Sequence, residues 1–151
     1  MAETHENLVF SIDARTIIQL GRDSIKNPTT ALLELVKNGY DADASIVEVD
    51  IKAGEIRIAD NGTGMTRQQL QNNWLRIGFS EKRTNKVTAS SRRKTREKGI
   101  GRLSTDRLGE RLSLKTKTPK CNPIELAVDW GNFDVDDRDL SDIPVQIGDV
   151  S

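Results

Sequence analysis

Glu34-Leu35-Val36-Lys37-Asn38-Gly39-Tyr40-Asp41-Ala42 is the stretch on which the reading of this chain turns. As a helix it places Glu34 and Asn38 at i and i+4 on one face. Leu32, Leu35, Val36 and the ring of Tyr40 are then available to the other side. A carboxylate can orient and deprotonate a water. A carboxamide oxygen is a hard ligand suited to a magnesium ion that keeps most of its waters. The competing reading is a solvated face that carries one acid and one amide. The sequence on either side decides between them.

Immediately upstream, Asn27-Pro28 is a helix start, with Asn as N-cap and Pro in the first turn. The helix it opens is expected to end near Gly39. Further upstream the pattern predicts a strand at 8–10, a cap in Ser11-Ile12-Asp13 and a short helix over 14–20, stopped by Gly21. Downstream, 41–45 is a turn. The segments 46–51 and 55–60 alternate as strands and join through Ala53-Gly54 as a hairpin. Asp60-Asn61-Gly62-Thr63-Gly64-Met65 leaves the second strand as a glycine turn, and Thr66 caps a helix reaching Leu75.

The segment 79–97 has no apolar period and carries Lys82, Arg83, Lys86, Arg92, Arg93, Lys94 and Arg96. A loop of this length in a compact domain is a functional lid or a disordered stretch. Lys82 is expected to serve a ligand, and Arg92 to Lys94 to be solvated. Gly99-Ile100-Gly101 then opens a helix to Leu108, ended by Gly109, and 111–116 and 124–129 alternate as strands. Beyond Trp130 the chain reads as acidic and irregular until Val145-Gln146-Ile147.

The 151 residues suit one domain with a real core. Twenty-three basic residues balance 23 acidic ones, so no bulk charge argues for nucleic acid or membrane. Cys121 stands alone, which leaves no internal disulfide and points to a reducing compartment. The polar N-terminus is no signal peptide and no stretch could span a bilayer, so a cytoplasmic protein is expected. His5, the sole histidine, stands near the terminus and argues against histidine chemistry and zinc sites.

Three elements recur in order: acid and amide on a helix, Asp-x-Gly-x-Gly after a strand, and Gly-x-Gly at a helix start. Asp60 could accept the exocyclic amine of a purine, with Gly62 and Gly64 letting the backbone approach the base. The amides of Gly99, Ile100 and Gly101 would form an anion site for phosphates, flanked by Lys98 and Arg102. Singly, each piece is a turn or a cap. Neither a P-loop nor a Gly-x-Gly-x-x-Gly fingerprint is present.

Taken together, Glu34 to Ala42, Asp60-Asn-Gly62-Thr-Gly64-Met65 and Lys98-Gly99-Ile-Gly101-Arg102 resemble the nucleotide motifs of the GHKL superfamily. That group spans gyrase-type topoisomerases, heat-shock chaperones, histidine kinases, MutL-type repair proteins and MORC ATPases. The resemblance implies an α+β Bergerat fold, a two-layer α/β sandwich whose mixed, mostly antiparallel sheet is backed by helices. It implies a single ATP-binding domain over 1–151 with a lid at about 77–98. Glu34 would be the general base, Asn38 the Mg²⁺ ligand, and Asp60 the adenine-reading acid, with Gly64 and Met65 lining the base. The stretch from Gly64 to Asn73 is similar to the chaperone and MORC branches, where an amide at the Asn73 position contacts nucleotide. Ile77-Gly78-Phe79-Ser80-Glu81-Lys82 is similar to their lid entry.

Two departures stand out. Arg96 replaces a usual Gly, and the last strands, with a Thr that helps hold adenine, are expected beyond Ser151 in a larger protein. The resemblance implies Mg²⁺-dependent ATP hydrolysis, lid closure on ATP, and dimerisation. The alternatives are a nucleotide-gated switch with little hydrolysis and, on weaker grounds, a histidine-kinase-type catalytic domain. Nucleic acid is a possible partner but not the favoured one, and no membrane partner is expected.

Overall fold

The computed structural model describes residues 5–78, 86–95 and 101–150. The first helix, α1 (Arg15–Ser24), buries Ile17, Ile18 and Gly21 along one face. Gly21 was expected to stop this helix and instead lies within it. A side chain there would stand 3.0 Å from the Leu103 carbonyl oxygen and 3.1 Å from its Cβ. The glycine therefore serves close packing against a 3-10 helix at Gly101–Arg107. Two arginines tie that pair together. Arg107 donates to the carbonyls of Arg22 and Ile25 at the α1 C-terminus, and Arg22 pairs with Asp106 at 3.1 Å.

Asn27 caps α2 (Pro28–Asp41) as its sequence predicts, its side chain accepting from the Thr30 amide at 2.8 Å. The helix runs two residues past its expected end at Gly39. Next, β1 (Val47–Lys52) and β2 (Glu55–Asp60) form an antiparallel hairpin that pairs Val47 with Asp60 and Lys52 with Glu55. Asn61 holds the base of this hairpin, its carboxamide oxygen accepting from the amides of Ser45 and Ile46.

Thr66 opens α3 (Arg67–Gln69) through a reciprocal capping box with Gln69. The continuous α-helix expected to Leu75 gives way to a π-helical turn at Leu70–Trp74, in which the Leu75 amide reaches back to the Leu70 carbonyl. This register keeps Leu70 fully buried. Of the helix expected to start at Gly99, residues 99 and 100 lie outside the described residues, and the part from Gly101 is 3-10 rather than α.

A second antiparallel sheet has the order β3 (Arg111–Thr116), β4 (Ile124–Asp129), β5 (Gln146–Asp149). Among the described residues every strand pairing is antiparallel. Ile124, Leu126 and Val128 alternate inward from β4 and meet α1, Leu70, Leu103, Trp130 and Phe133 in one core. Helices and two antiparallel sheets make an α+β molecule, with α2 packed on both the β1–β2 hairpin and the 101–107 helix.

Two expectations fail here. Residues 8–10 form no strand, and Leu8, Val9 and Phe10 are 82%, 93% and 104% exposed. The Ile12 carbonyl accepts from the Leu140 amide, and residues 8–10 lie outside that pairing. The stretch after Trp130 is not irregular throughout. Trp130–Phe133 and Leu140–Asp142 are 3-10 turns, each opened by an aspartate, Asp129 and Asp139, that accepts from the amide two residues on.

Candidate nucleotide site

On α2, Glu34 and Asn38 lie one turn apart and both are half-buried. The Glu34 carboxylate, 19% exposed, pairs with the Lys37 ammonium at 2.9 Å on the same helix. One residue past Asn38, Gly39 lets α2 settle on the hairpin. A Cβ there would stand 2.7 Å from Val47 Cγ2 and 3.2 Å from Asp60 Cβ. The absence of a side chain at 39 therefore brings the acid-amide helix onto the strand end that carries Asp60.

The turn after β2 is held from three sides. Asp60 Oδ1 accepts from the Gly62 amide at 2.9 Å, which leaves Oδ2 without a donor among the described residues. The Thr63 amide reaches back to the Ala42 carbonyl at 2.8 Å, fixing the turn to the end of α2. Gly62 fits so closely beneath Ala42 that a Cβ would stand 2.5 Å from its carbonyl oxygen. Gly64 adopts φ +66°, and a side chain there would strike the Lys117 carbonyl. The Met65 amide donates to Thr116 Oγ1 at 2.8 Å.

Thr116 was not singled out in the sequence. The structure sets it at the end of β3, against the Gly64-Met65 turn. A signal was present: Leu112, Leu114 and Thr116 share the half-buried side of an alternating strand, so this hydroxyl points where the apolar residues point. Two residues on, Thr118 Oγ1 is buried with no hydrogen-bond partner among the described residues.

Asn73 and Arg102 form a second group. Arg102 Nη1 donates to the carbonyls of Asn73, Trp74 (2.7 Å) and Arg76 (3.1 Å), closing the C-terminal end of the π-turn. Gly101 is buried at the start of its helix. Lys82, Lys98, Gly99 and Ile100 lie outside the described residues.

Residues 86–95, inside the expected lid, form a small hairpin. Val87 bridges Arg93, and the Lys94 amide bonds the Lys86 carbonyl at 2.8 Å. Arg92 was expected to be solvated and is not. Its Nη1 donates to the Ala44 carbonyl at 2.7 Å, and its guanidinium lies 5.1 Å over the Tyr40 ring. The cation lies just past the C-terminal end of α2, where the helix dipole favours positive charge.

The site suits a purine nucleotide chemically. It offers a carboxylate oxygen open to an amine and a turn whose close-packed glycines exclude side chains. Among the described residues no three His, Cys, Asp or Glu side chains gather as a metal set. A magnesium ion carried on phosphates needs none, since one protein oxygen and waters complete its shell.

Residues 26–148 match the family model described as histidine kinase-, DNA gyrase B-, and HSP90-like ATPase. A candidate type II restriction enzyme, HgiDII of Herpetosiphon aurantiacus, is 36% identical over 104 residues, 69% of this chain and 17% of that protein. The DNA mismatch repair protein MutL of Thermotoga maritima is 40% identical over 67 residues, covering 42% of this chain and 12% of MutL. MutL of Kosmotoga olearia is 54% identical over 41 residues, 25% of this chain and 7% of its own length. The chain thus spans under a fifth of the length of these relatives.

Proposed function

The chain belongs to the histidine kinase-, DNA gyrase B- and HSP90-like ATPase family, and from that premise we propose that it is a single domain that binds and hydrolyses Mg²⁺·ATP. The observation that carries this reading is the contact of Gly39 with Asp60, which sets Glu34 and Asn38 beside the Asp60–Met65 turn. Asp60 Oδ2 accepts the adenine amine, and Gly64 and Met65 border the base. The Thr116 hydroxyl holds the Met65 amide and so keeps that border in place. Asn38 is the protein ligand for Mg²⁺, which when bound neutralises phosphate charge. Glu34 accepts the proton of the attacking water, and the half-buried setting of α2 limits competing solvent. Asn73, Lys82, Arg102 and the amides of Gly99, Ile100 and Gly101, with Lys98, are assigned to the phosphates.

A second reading, a nucleotide-gated switch with little hydrolysis, draws support from the Lys37–Glu34 pair. A carboxylate that accepts from an ammonium is a weaker base for water. Single-turnover hydrolysis with Glu34→Ala and Lys37→Ala separates the two. In the ATPase reading Glu34→Ala keeps ATP affinity and slows hydrolysis about 10²-fold or more. Equal loss of affinity and activity would make Glu34 structural. Lys37→Ala raising turnover, from a wild type that barely turns over, would establish the switch.

ATP-driven closure of a lid at about 77–98 and self-association complete the proposal. The exposed Leu8, Val9 and Phe10 are apolar surface suited to a partner copy. Direct nucleic-acid contact through 86–95 is less supported, because Arg92 is already committed to Ala44 and Tyr40.

A further inference from the structure

The C-terminal turn of α2 meets the 86–95 hairpin through two carboxylates. Asp41, 9% exposed, accepts from both the amide (2.9 Å) and the hydroxyl (2.6 Å) of Thr95, 54 residues later in the chain. Asp43 Oδ2 accepts from the Ser90 amide at 3.0 Å, and its Oδ1 lies 3.9 Å from Arg92 Nε. The hairpin is also bonded to itself, with Thr88 accepting from the Arg92 amide through its side chain and donating its own amide to the Arg92 carbonyl. It is therefore a preformed element fastened at two places, one on the last residue of the helix of Glu34 and Asn38 and one two residues beyond it.

Two acids at a helix C-terminus are unfavourably placed with respect to the helix dipole. They stand there with compensation: Arg92 sits among them, Asp41 accepts two hydrogen bonds from Thr95, and Asp43 accepts one from the Ser90 amide. The Thr88 hydroxyl chiefly, helped by Ser90 and Arg92 against the opposing effect of burial, holds the Asp43 carboxyl below its ordinary range. Bonds of this kind are charge-assisted and stronger than neutral ones.

We propose that Asp41 and Asp43 form a latch that holds the 86–95 hairpin on the end of α2, and that opening this latch sets how fast nucleotide leaves the neighbouring site. The latch stands on its own contacts; its effect on release rests on the nucleotide reading above. Asp41 and Asp43 are positioning residues in this account, acting through the hairpin.

Thr95→Val removes the hydroxyl donor to Asp41 and keeps the amide. Asp43→Asn keeps the shape and removes the charge, and asparagine tolerates the positive φ of 60° found there. Both are tested on the full chain by hydrogen exchange and by release of a fluorescent ATP analogue. Exchange of the 86–95 amides should rise roughly tenfold in each variant, the size of a lost charge-assisted bond. Exchange in β3 and β4 should not change, and analogue release should quicken several-fold. Wild-type exchange over 86–95 in both variants would overturn the latch. Faster exchange with unchanged release would overturn its control of the site. Failure of the wild-type chain to hold the analogue would defeat the nucleotide reading instead, and the exchange comparison would still decide the latch.

Discussion

Gly64 and Gly54 share a left-handed backbone, with φ of +66° and +79°, and differ in what surrounds them. A Cβ at 54 would meet nothing within 4 Å, whereas one at 64 would enter the Lys117 carbonyl. Gly54→Ala should therefore cost only the backbone term, about 1–2 kcal/mol. Gly64→Ala should cost clearly more and also displace the Met65 amide from Thr116. Thermal melts of the two variants check this, with a shift of about 2–4 °C per kcal/mol expected for a chain of this size. Equal melting temperatures would mean that the Gly64 turn yields without cost. The same comparison separates a glycine that makes a turn from one that admits a neighbour's backbone.

At the scale of elements, what could be read in advance was whatever neighbours in sequence decide. The Asn27-Pro28 start of α2, the Ala53-Gly54 hairpin and the Thr66 cap all hold because their partners lie within a few residues. Gly21 was misjudged because its reason is Leu103, and Arg92 because its reasons are Tyr40 and Ala44. Thr116 was missed because it meets Met65 across 51 residues. Periodicity is silent on such contacts. The acidic stretch after Trp130 was read by its charge alone, whereas Asp139 accepts from the Ser141 hydroxyl and amide to open a turn beside Ile12.

That last feature carries a pH prediction. The Ser141 hydroxyl, then its amide, hold the Asp139 carboxyl below its ordinary range against a smaller effect of burial, and Asp43 is shifted the same way. A carboxyl with a depressed folded-state pKa contributes stability above its unfolded value of 3.8 and loses it as pH falls through the folded value. Asp139→Asn should thus flatten the fall of stability on acidification below about pH 5, the range in which such groups take up protons. Denaturant midpoints measured from pH 6 downward check this, and parallel curves for wild type and variant would contradict it.

On the scale of the whole molecule, α2 is the element to which the others refer. It packs on the β1–β2 hairpin, on the 101–107 helix and, through its last turn, on the 86–95 hairpin. The superfamily was legible because its motifs are local in sequence, while the way they meet depends on Gly39 and Ala42. Among the described residues no helix is long and apolar enough to cross a membrane. The site accordingly stands or falls on whether the motifs joined by α2 read a purine. The most direct measurement is calorimetric titration of ATP and GTP, with magnesium, into wild type and Asp60→Asn. The account predicts that wild type binds ATP in preference to GTP, and that Asp60→Asn weakens ATP by about 1–3 kcal/mol while leaving the weak GTP binding unchanged. Equal affinity of wild type and Asp60→Asn for ATP, or equal losses for the two nucleotides, would contradict it.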